Sequence, residues 1–294
     1  MAANYWNSTQ KKYWTFTKKE LAEIRRNLEA ESGQIVSQYP LPDRRLLNIY
    51  FSHQLAKLAK RMAVRQQALA TAQVYMRRFY IKREIRATNP YLVLSTAFYL
   101  ACKMEECPQH IRIVVGEARQ FWSDTVSSDT SKLGECEFHL ISEMNSQLIV
   151  HHPYRTLTDM QTQFNLNTDE MSLAWSIVND HYFTDLPLLH PPHVIAITAV
   201  FLATVLKPNN AGTTQAQNMH NAMQQLNAKN GGAVGAQPRV QSLLNWLAES
   251  AISIEAIVDC TQELISLYQL WDGFNEKACK EQVSRFVKAR GLDK

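Results

Sequence analysis

The chain has 294 residues, enough to bury roughly 75% of the surface that its unfolded form exposes and to build one large domain or two ordinary ones. Its glycines are few (9), no long run alternates apolar with polar residues, and its 5 scattered cysteines follow no secretory signal, which disfavours a sheet architecture and a secreted, disulfide-bonded protein and points to a reducing intracellular compartment. The net charge of +4 hides an asymmetry, since residues 1–103 carry 18 Lys/Arg against 6 Asp/Glu and residues 104–294 carry 13 against 21, a basic half joined to an acidic half that suits complementary partners, protein or nucleic acid.

In chain order, Asn4-Tyr5-Trp6 and Tyr13-Trp14-Thr15-Phe16 form an aromatic arm, either stapled onto its own core or offered to a partner. Thr17 and Glu20 fit a capping box ahead of Leu21, Ile24 and Leu28 at helical spacing, and Pro40-Leu41-Pro42-Asp43 then breaks the chain. Leu47, Phe51, Leu55, Leu58 and Met62 mark one helical stripe, and Ala68, Ala72, Tyr75, Met76 and Phe79 mark the next. Arg65, Arg77, Arg78, Lys82 and Arg83 are expected on solvated basic faces of these helices. From Pro90 to Lys103 only Ser95 and Thr96 interrupt the apolar run before the lysine, the pattern of a helix buried on all sides and too short to span a bilayer. This is the expected hub. Ile111 to Trp122, a polar stretch at 123–131, and a stripe of Leu133, Cys136, Leu140 and Met144 with Glu137 beside it complete a first five-helix unit.

A second unit repeats the first. Setting Pro192 on Pro90 superimposes Thr96, Ala97, Leu100 and Ala101 on Thr198, Ala199, Leu202 and Ala203, and the same register carries Ala72 onto Ala174 and Tyr80 onto Tyr182. The stretch 207–238 is rich in Asn, Gln, Ala and Gly and reads as a low-complexity surface insertion. The expected organisation is an arm and helix at 1–43, a first repeat at 44–148, a second repeat at 149–274 carrying the insertion, and a C-terminal helix at 275–294.

The chain contains no phosphate-binding glycine loop, no dinucleotide fingerprint, no zinc-protease motif and no nucleophile elbow. An enzyme is disfavoured, and so is metal binding, because His151-His152 and the Cys102/Cys107 pair lack a second ligand pair at suitable spacing. What stands out is Lys103, at the end of the buried hub, and Glu137, on the fifth helix, opposite charges beside apolar surface that suit another protein's backbone.

Two five-helix repeats, a central helix ending Lys103-Met104-Glu105-Glu106 and a fifth helix bearing Glu137 resemble the cyclin box family. The segments Met1 to Trp6, Arg65-Gln66-Gln67, Arg78-Phe79-Tyr80, Glu135 to Phe138, Ile149 to Arg155 and Ile177 to Asp180 are similar to the cyclin C branch, the cyclins of the Mediator kinase module. That resemblance implies an all-α fold, a duplicated cyclin box with flanking N-terminal and C-terminal helices. It further implies a nuclear, non-catalytic regulatory subunit of a cyclin-dependent kinase, with no cofactor and no membrane contact. Lys103 and Glu137 would hold the loop leading into the kinase's regulatory helix, and Met104 and Ile141 would pack on that helix. Trp6, Glu105, Glu106, Asn179, Asp180 and Tyr268 match positions of a groove that takes another kinase-module subunit. The sequence also departs from cell-cycle cyclins: Leu46 to Tyr50 reads Leu-Leu-Asn-Ile-Tyr where their Met-Arg-Ala-Ile-Leu docking motif falls. The 123–131 loop and the insertion suggest a fungal type. Two other readings are open: an adaptor like the general transcription factors that use this fold on DNA, though direct nucleic-acid contact is not expected, and a purely structural helical scaffold.

Overall fold

The computed structural model describes residues 4–206 and 238–293, and among these every regular element is a helix. The expected insertion lies outside the described residues, apart from Pro238, which begins a helix. The chain divides into two units, Met1–His151 with Asn275–Lys294, and His152–Phe274. The first contains α1 (Thr9–Tyr13), α2 (Lys18–Glu31), α3 (Gly33–Gln38), α4 (Arg44–Arg61), α5 (Gln66–Phe79), α6 (Pro90–Met104), α7 (Ile111–Trp122) and α8 (Thr130–Glu143). The second contains α9 (Tyr154–Phe164), α10 (Thr168–Asp180), α11 (Leu186–Leu189), α12 (Pro192–Val205), α13 (Pro238–Glu249) and α14 (Ile254–Asp272). A last helix, α15 (Glu276–Ala289), returns to the first unit and packs against α4.

In the first unit α6 is the hub, in contact with α4, α5, α7 and α8. Pro90 occupies its first turn, and the side-chain oxygen of Asn89 accepts the backbone N–H of Tyr91 at 3.1 Å. The Asn89 amide donates in turn to the carbonyls of Thr125 (2.6 Å) and Leu292 (3.0 Å), tying the helix start to two distant segments. Ser95 and Thr96 return their hydroxyls to the carbonyls of Tyr91 and Leu92, both at 2.8 Å, so neither polar side chain is orphaned in the core. The helix stops where Glu106 turns left-handed (φ 53°) and the N–H of Cys107 donates back to the Cys102 carbonyl at 2.9 Å.

The second unit is built the same way around α12, which contacts α9, α10, α13 and α14. The register that sets Pro192 on Pro90 also sets the start of α10, Thr168, on the start of α5, Gln66. Thr198 repeats the device of Thr96, donating to the Val194 carbonyl at 2.9 Å. Ala72 and Ala174 are both buried, as are Tyr80 and Tyr182.

The solvated basic face fails for α5. Every residue from Ala68 to Phe79 is buried, Arg77 and Arg78 included. Arg78 is fully enclosed: its guanidinium donates to the Gln147 carbonyl at 2.8 Å and lies 5.1 Å from the centroid of the Trp14 ring. Burial draws its pKa down to about 10, which leaves it a cation at neutral pH. Arg65, Lys82 and Arg83 do face outward, and Arg83 pairs with Glu143 at 2.6 Å.

The aromatic arm divides between its two readings. Trp14 is 2% exposed and donates its indole N–H to the Gln147 side chain at 2.7 Å, whereas Trp6 and Tyr13 are each 58% exposed. Trp14→Ala is therefore expected to remove about 3–5 kcal/mol of unfolding free energy, the cost of a large buried aromatic. Trp6→Ala should change it by less than about 0.5 kcal/mol. Urea unfolding midpoints read both, and equal shifts would mean that the arm is not seated through Trp14.

Candidate protein-docking site

The last turn of α6 and the middle of α8 meet because the two helices pack on each other and α6 ends abruptly at Glu106. This brings Lys103 and Glu137 together as an ion pair, Nζ on Oε1, with the ammonium also 4.6 Å from the centroid of the Tyr99 ring. The side chain of Lys103 is 38% exposed and that of Glu137 is 13% exposed. Lys103 thus keeps part of its ammonium within reach of an incoming group, while the Glu137 carboxylate is mostly enclosed. α8 is held in place by Asp129, whose carboxylate accepts the Ser131 N–H at 2.8 Å, and by its buried residues Leu133 and Leu140.

Apolar residues neighbour the pair along both helices. Met104, next to Lys103, is exposed, and Ile141, one turn beyond Glu137, is half-buried. Phe138 is 77% exposed, beside Glu137 in the chain, and is the apolar residue that the sequence reading did not single out. Its signal was available, because 138 falls outside the stripe of Leu133, Cys136, Leu140 and Met144 and an aromatic ring there has no core to enter. Just before Lys103, burial pushes the Cys102 thiol up to about 12, and the neighbouring Cys107 adds to the shift, so it stays protonated.

The second set of expected site residues is less uniform. Trp6 stands out from a short turn, Tyr5–Asn7, capped by Asn4, whose side chain accepts the Trp6 N–H at 3.0 Å. Glu105 accepts the Thr71 hydroxyl at 2.5 Å and is half-buried, while Glu106 is exposed. In the second unit, Asn179 accepts the Tyr154 hydroxyl at 3.0 Å, and Asp180 accepts the Tyr268 hydroxyl at 2.7 Å. Asn179, Asp180 and Tyr268 thus hold α9, α10 and α14 to one another through side-chain hydrogen bonds. Among the described residues, no group of three or more His, Cys, Asp or Glu is placed to hold a metal ion, and no helix is long and apolar enough to cross a membrane.

Comparison with known proteins agrees with this architecture. Residues 13–149 match the family model described as Cyclin, N-terminal domain. The RNA polymerase II holoenzyme cyclin-like subunit of Aspergillus oryzae is 60% identical over 304 aligned residues, covering 100% of each chain. The protein of the same name from Neurospora crassa is 51% identical over 345, again covering 100% of each. Among solved structures, a chain of the CAK complex of Chaetomium thermophilum, bound to ATP-γ-S, aligns with a TM-score of 0.64 at 20% identity, covering 97% of this chain and 88% of that one. A chain of the yeast TFIIK complex aligns with a TM-score of 0.60 at 18% identity, covering 88% and 100%. At those identities the likeness is one of fold.

Burial raises the Asp180 carboxyl to about 6, and the Tyr268 hydrogen bond offsets only part of the shift. The folded protein therefore keeps a proton there that the unfolded chain gives up near pH 4. The stability this group contributes is complete below that pH and is lost as pH rises through about 6, an effect of roughly 2–3 kcal/mol. Asp180→Asn retains an acceptor for Tyr268 and is expected to melt above the wild type at pH 7.5, with the difference gone by pH 4. Thermal melts across that range test this, and a pH-independent difference would refute it.

Proposed function

This chain belongs to the cyclin family, in the group of fungal RNA polymerase II holoenzyme cyclin-like subunits, and we propose that it binds and activates the cyclin-dependent kinase of the Mediator kinase module. Cyclins are regulatory subunits of kinases, and in this reading the chain itself performs no chemistry and works in the nucleus on transcription. The observation that carries the reading is the Lys103–Glu137 ion pair, with the exposed Met104 next to Lys103 in the chain and the partly exposed Ile141 one turn beyond Glu137. An ammonium offers three donors and a carboxylate offers acceptors, so the pair can engage both the carbonyls and the N–H groups of a loop entering the kinase's regulatory helix. The apolar residues beside it would take the helix itself.

Activation then follows from differential affinity. A kinase poised between helix-out and helix-in forms shifts toward the form the cyclin binds better, and moving it from 1:99 to 99:1 takes about a 10⁴-fold preference. The helix-in form sets the kinase's glutamate against its catalytic lysine, which holds the nucleotide phosphates. Trp6, Glu105, Glu106, Asn179, Asp180 and Tyr268 are proposed to contact another subunit of the module. Of these, Trp6 has the most free surface and is the natural anchor, since exposed tryptophans are frequent centres of binding energy.

The nucleic-acid reading is less well supported. A track for phosphates needs a row of accessible cations, whereas Arg77, Arg78 and Arg86 are buried and Lys57, Arg61, Arg83 and Lys103 each meet a carboxylate.

Glu137→Ala, alone and with Lys103→Ala, is expected to weaken the complex with the Mediator kinase by about 2–5 kcal/mol, roughly thirtyfold or more, and to lower kinase activity in parallel. The double variant should keep its fold, because it removes both charges together and leaves neither one buried without its partner. Co-purification and a kinase assay, with helicity checked by circular dichroism, read the outcome. Undiminished kinase capture by the natively helical double variant would sink the proposal. Trp6→Ala should leave kinase capture intact and weaken the second contact.

A further inference from the structure

At the start of α6, the end of the hub opposite Lys103, the first unit has a hollow that serves none of these roles. At a rise of about 1.5 Å per residue, the two ends of that helix lie about 20 Å apart. Leu92, Val115, Val126, Leu133 and Leu292 form the apolar wall of the hollow, and Asn89, Ser127, Asp129, Lys132 and Asp293 supply its polar groups. The empty space is about 360 Å³, counting its mouth.

One oxygen of the Asp293 carboxylate, Oδ1, is enclosed and accepts no hydrogen bond. A buried carboxylate oxygen without a donor is unfavourable, so an occupant that brings a donor is stabilised there. The other polar groups of the hollow do not meet this need. Asn89 is engaged with the Thr125 and Leu292 carbonyls and with the start of α6, and the Ser127 hydroxyl accepts the Asp129 N–H at 3.2 Å. Among the described residues, neither Lys132 nor Asp293 forms an ion pair. Lys132 instead acts on Asp129 at the start of α8: the Ser131 N–H holds that carboxyl below its usual range, and the charge of Lys132 adds to the effect. Lys288 and Arg290, close to Asp293 in the chain, are taken up by the Asp124 carboxylate at 3.3 Å and by the Arg86 carbonyl. The charge left without a counterpart is that of Asp293.

A carboxylate beside an apolar wall suits a cationic head on an aliphatic stem. Arginine fits better than lysine, because its guanidinium has donors enough to serve Oδ1 and a second acceptor together, and it is less strongly hydrated than an ammonium, so it loses less on leaving water. A bare metal ion has no use for the apolar wall. An anion would meet Asp293 and Asp129, and the helix starts that border the hollow are already capped by Asn89 and Asp129. We propose that this hollow takes an arginine side chain presented by a partner protein.

The test uses the full chain and fluorescence anisotropy with a short, end-blocked peptide of glycine, alanine and serine that carries one arginine, and a twin with citrulline, its neutral isostere, in that place. The arginine peptide should bind about tenfold or more tightly than the twin, the scale of one charge-assisted contact, and Asp293→Asn should remove that preference. Asp293 lies past the end of α15, so the variant is expected to keep native helicity, checked by circular dichroism. The Lys103→Ala/Glu137→Ala variant should bind the peptide as the wild type does, which separates this site from the kinase surface. Equal binding of the two peptides, or a natively folded Asp293→Asn variant that still prefers arginine, would overturn the proposal. A lysine peptide bound as tightly as the arginine peptide would overturn the choice of arginine. Free arginine amide that binds where the peptide does not would reassign the hollow to a small molecule and overturn the protein source.

Discussion

A helix enclosed on every side must satisfy its polar groups at its two ends, and the first unit depends on how α6 does so. At the start, one asparagine serves three partners: Asn89 caps the helix and also holds the carbonyls of Thr125 and Leu292. At the other end, the left-handed turn at Glu106 lets the chain leave without abandoning the last carbonyls to an apolar core. Just ahead of this turn, Lys103 and Met104 are the exposed residues of the hub. The place where the core must end is thus also the place where the candidate docking surface begins.

Much of this was legible in the sequence because it rests on local rules. A long apolar run led by a proline and the Thr17/Glu20 box depend on residues within a few turns of one another, the register of Pro90 on Pro192 compares two such local patterns, and all appear in the structure. What could not be read depends on distant partners. The arginines of α5 look like a solvated face when counted by spacing. Arg78 is nonetheless buried, because Trp14 and the Gln147 carbonyl, far off in the chain, surround it with a ring face and an acceptor. The arm could not be assigned as a whole for the same reason, since Trp14 finds Gln147 while Trp6 and Tyr13 stay largely exposed.

The candidate residues show a similar divide. Lys103 and Glu137 are meaningful as a pair only in three dimensions, but each was already marked by its position at the edge of an apolar stripe. Phe138 carries no charge to mark it, although an aromatic side chain off the stripe is as informative as a cation off it. Asn179, Asp180 and Tyr268 were identified through resemblance alone. Their engagement with Tyr154 and with each other shows that a residue can be matched as a contact position and still be occupied in holding its own helices. At such positions a partner competes with an existing hydrogen bond, whereas at Lys103 it meets an ammonium that is partly exposed.

The first unit is discontinuous in the chain, and that has a bearing on synthesis. α15 arrives only after the whole second unit has been made, yet it supplies the acceptor for Gln54 and Lys57, a hydroxyl beside Tyr91, and, just past its end, the Leu292 carbonyl for Asn89. On the ribosome, a nascent chain that has completed α4 to α8 would therefore wait with one flank of α4 open and the cap of its hub only partly satisfied. During that interval the unit exposes apolar surface that chaperones recognise, and a message cut short before codon 275 would yield a product held permanently in that state. Quality control would then discriminate between finished and unfinished chains through a helix that lies far from the docking pair.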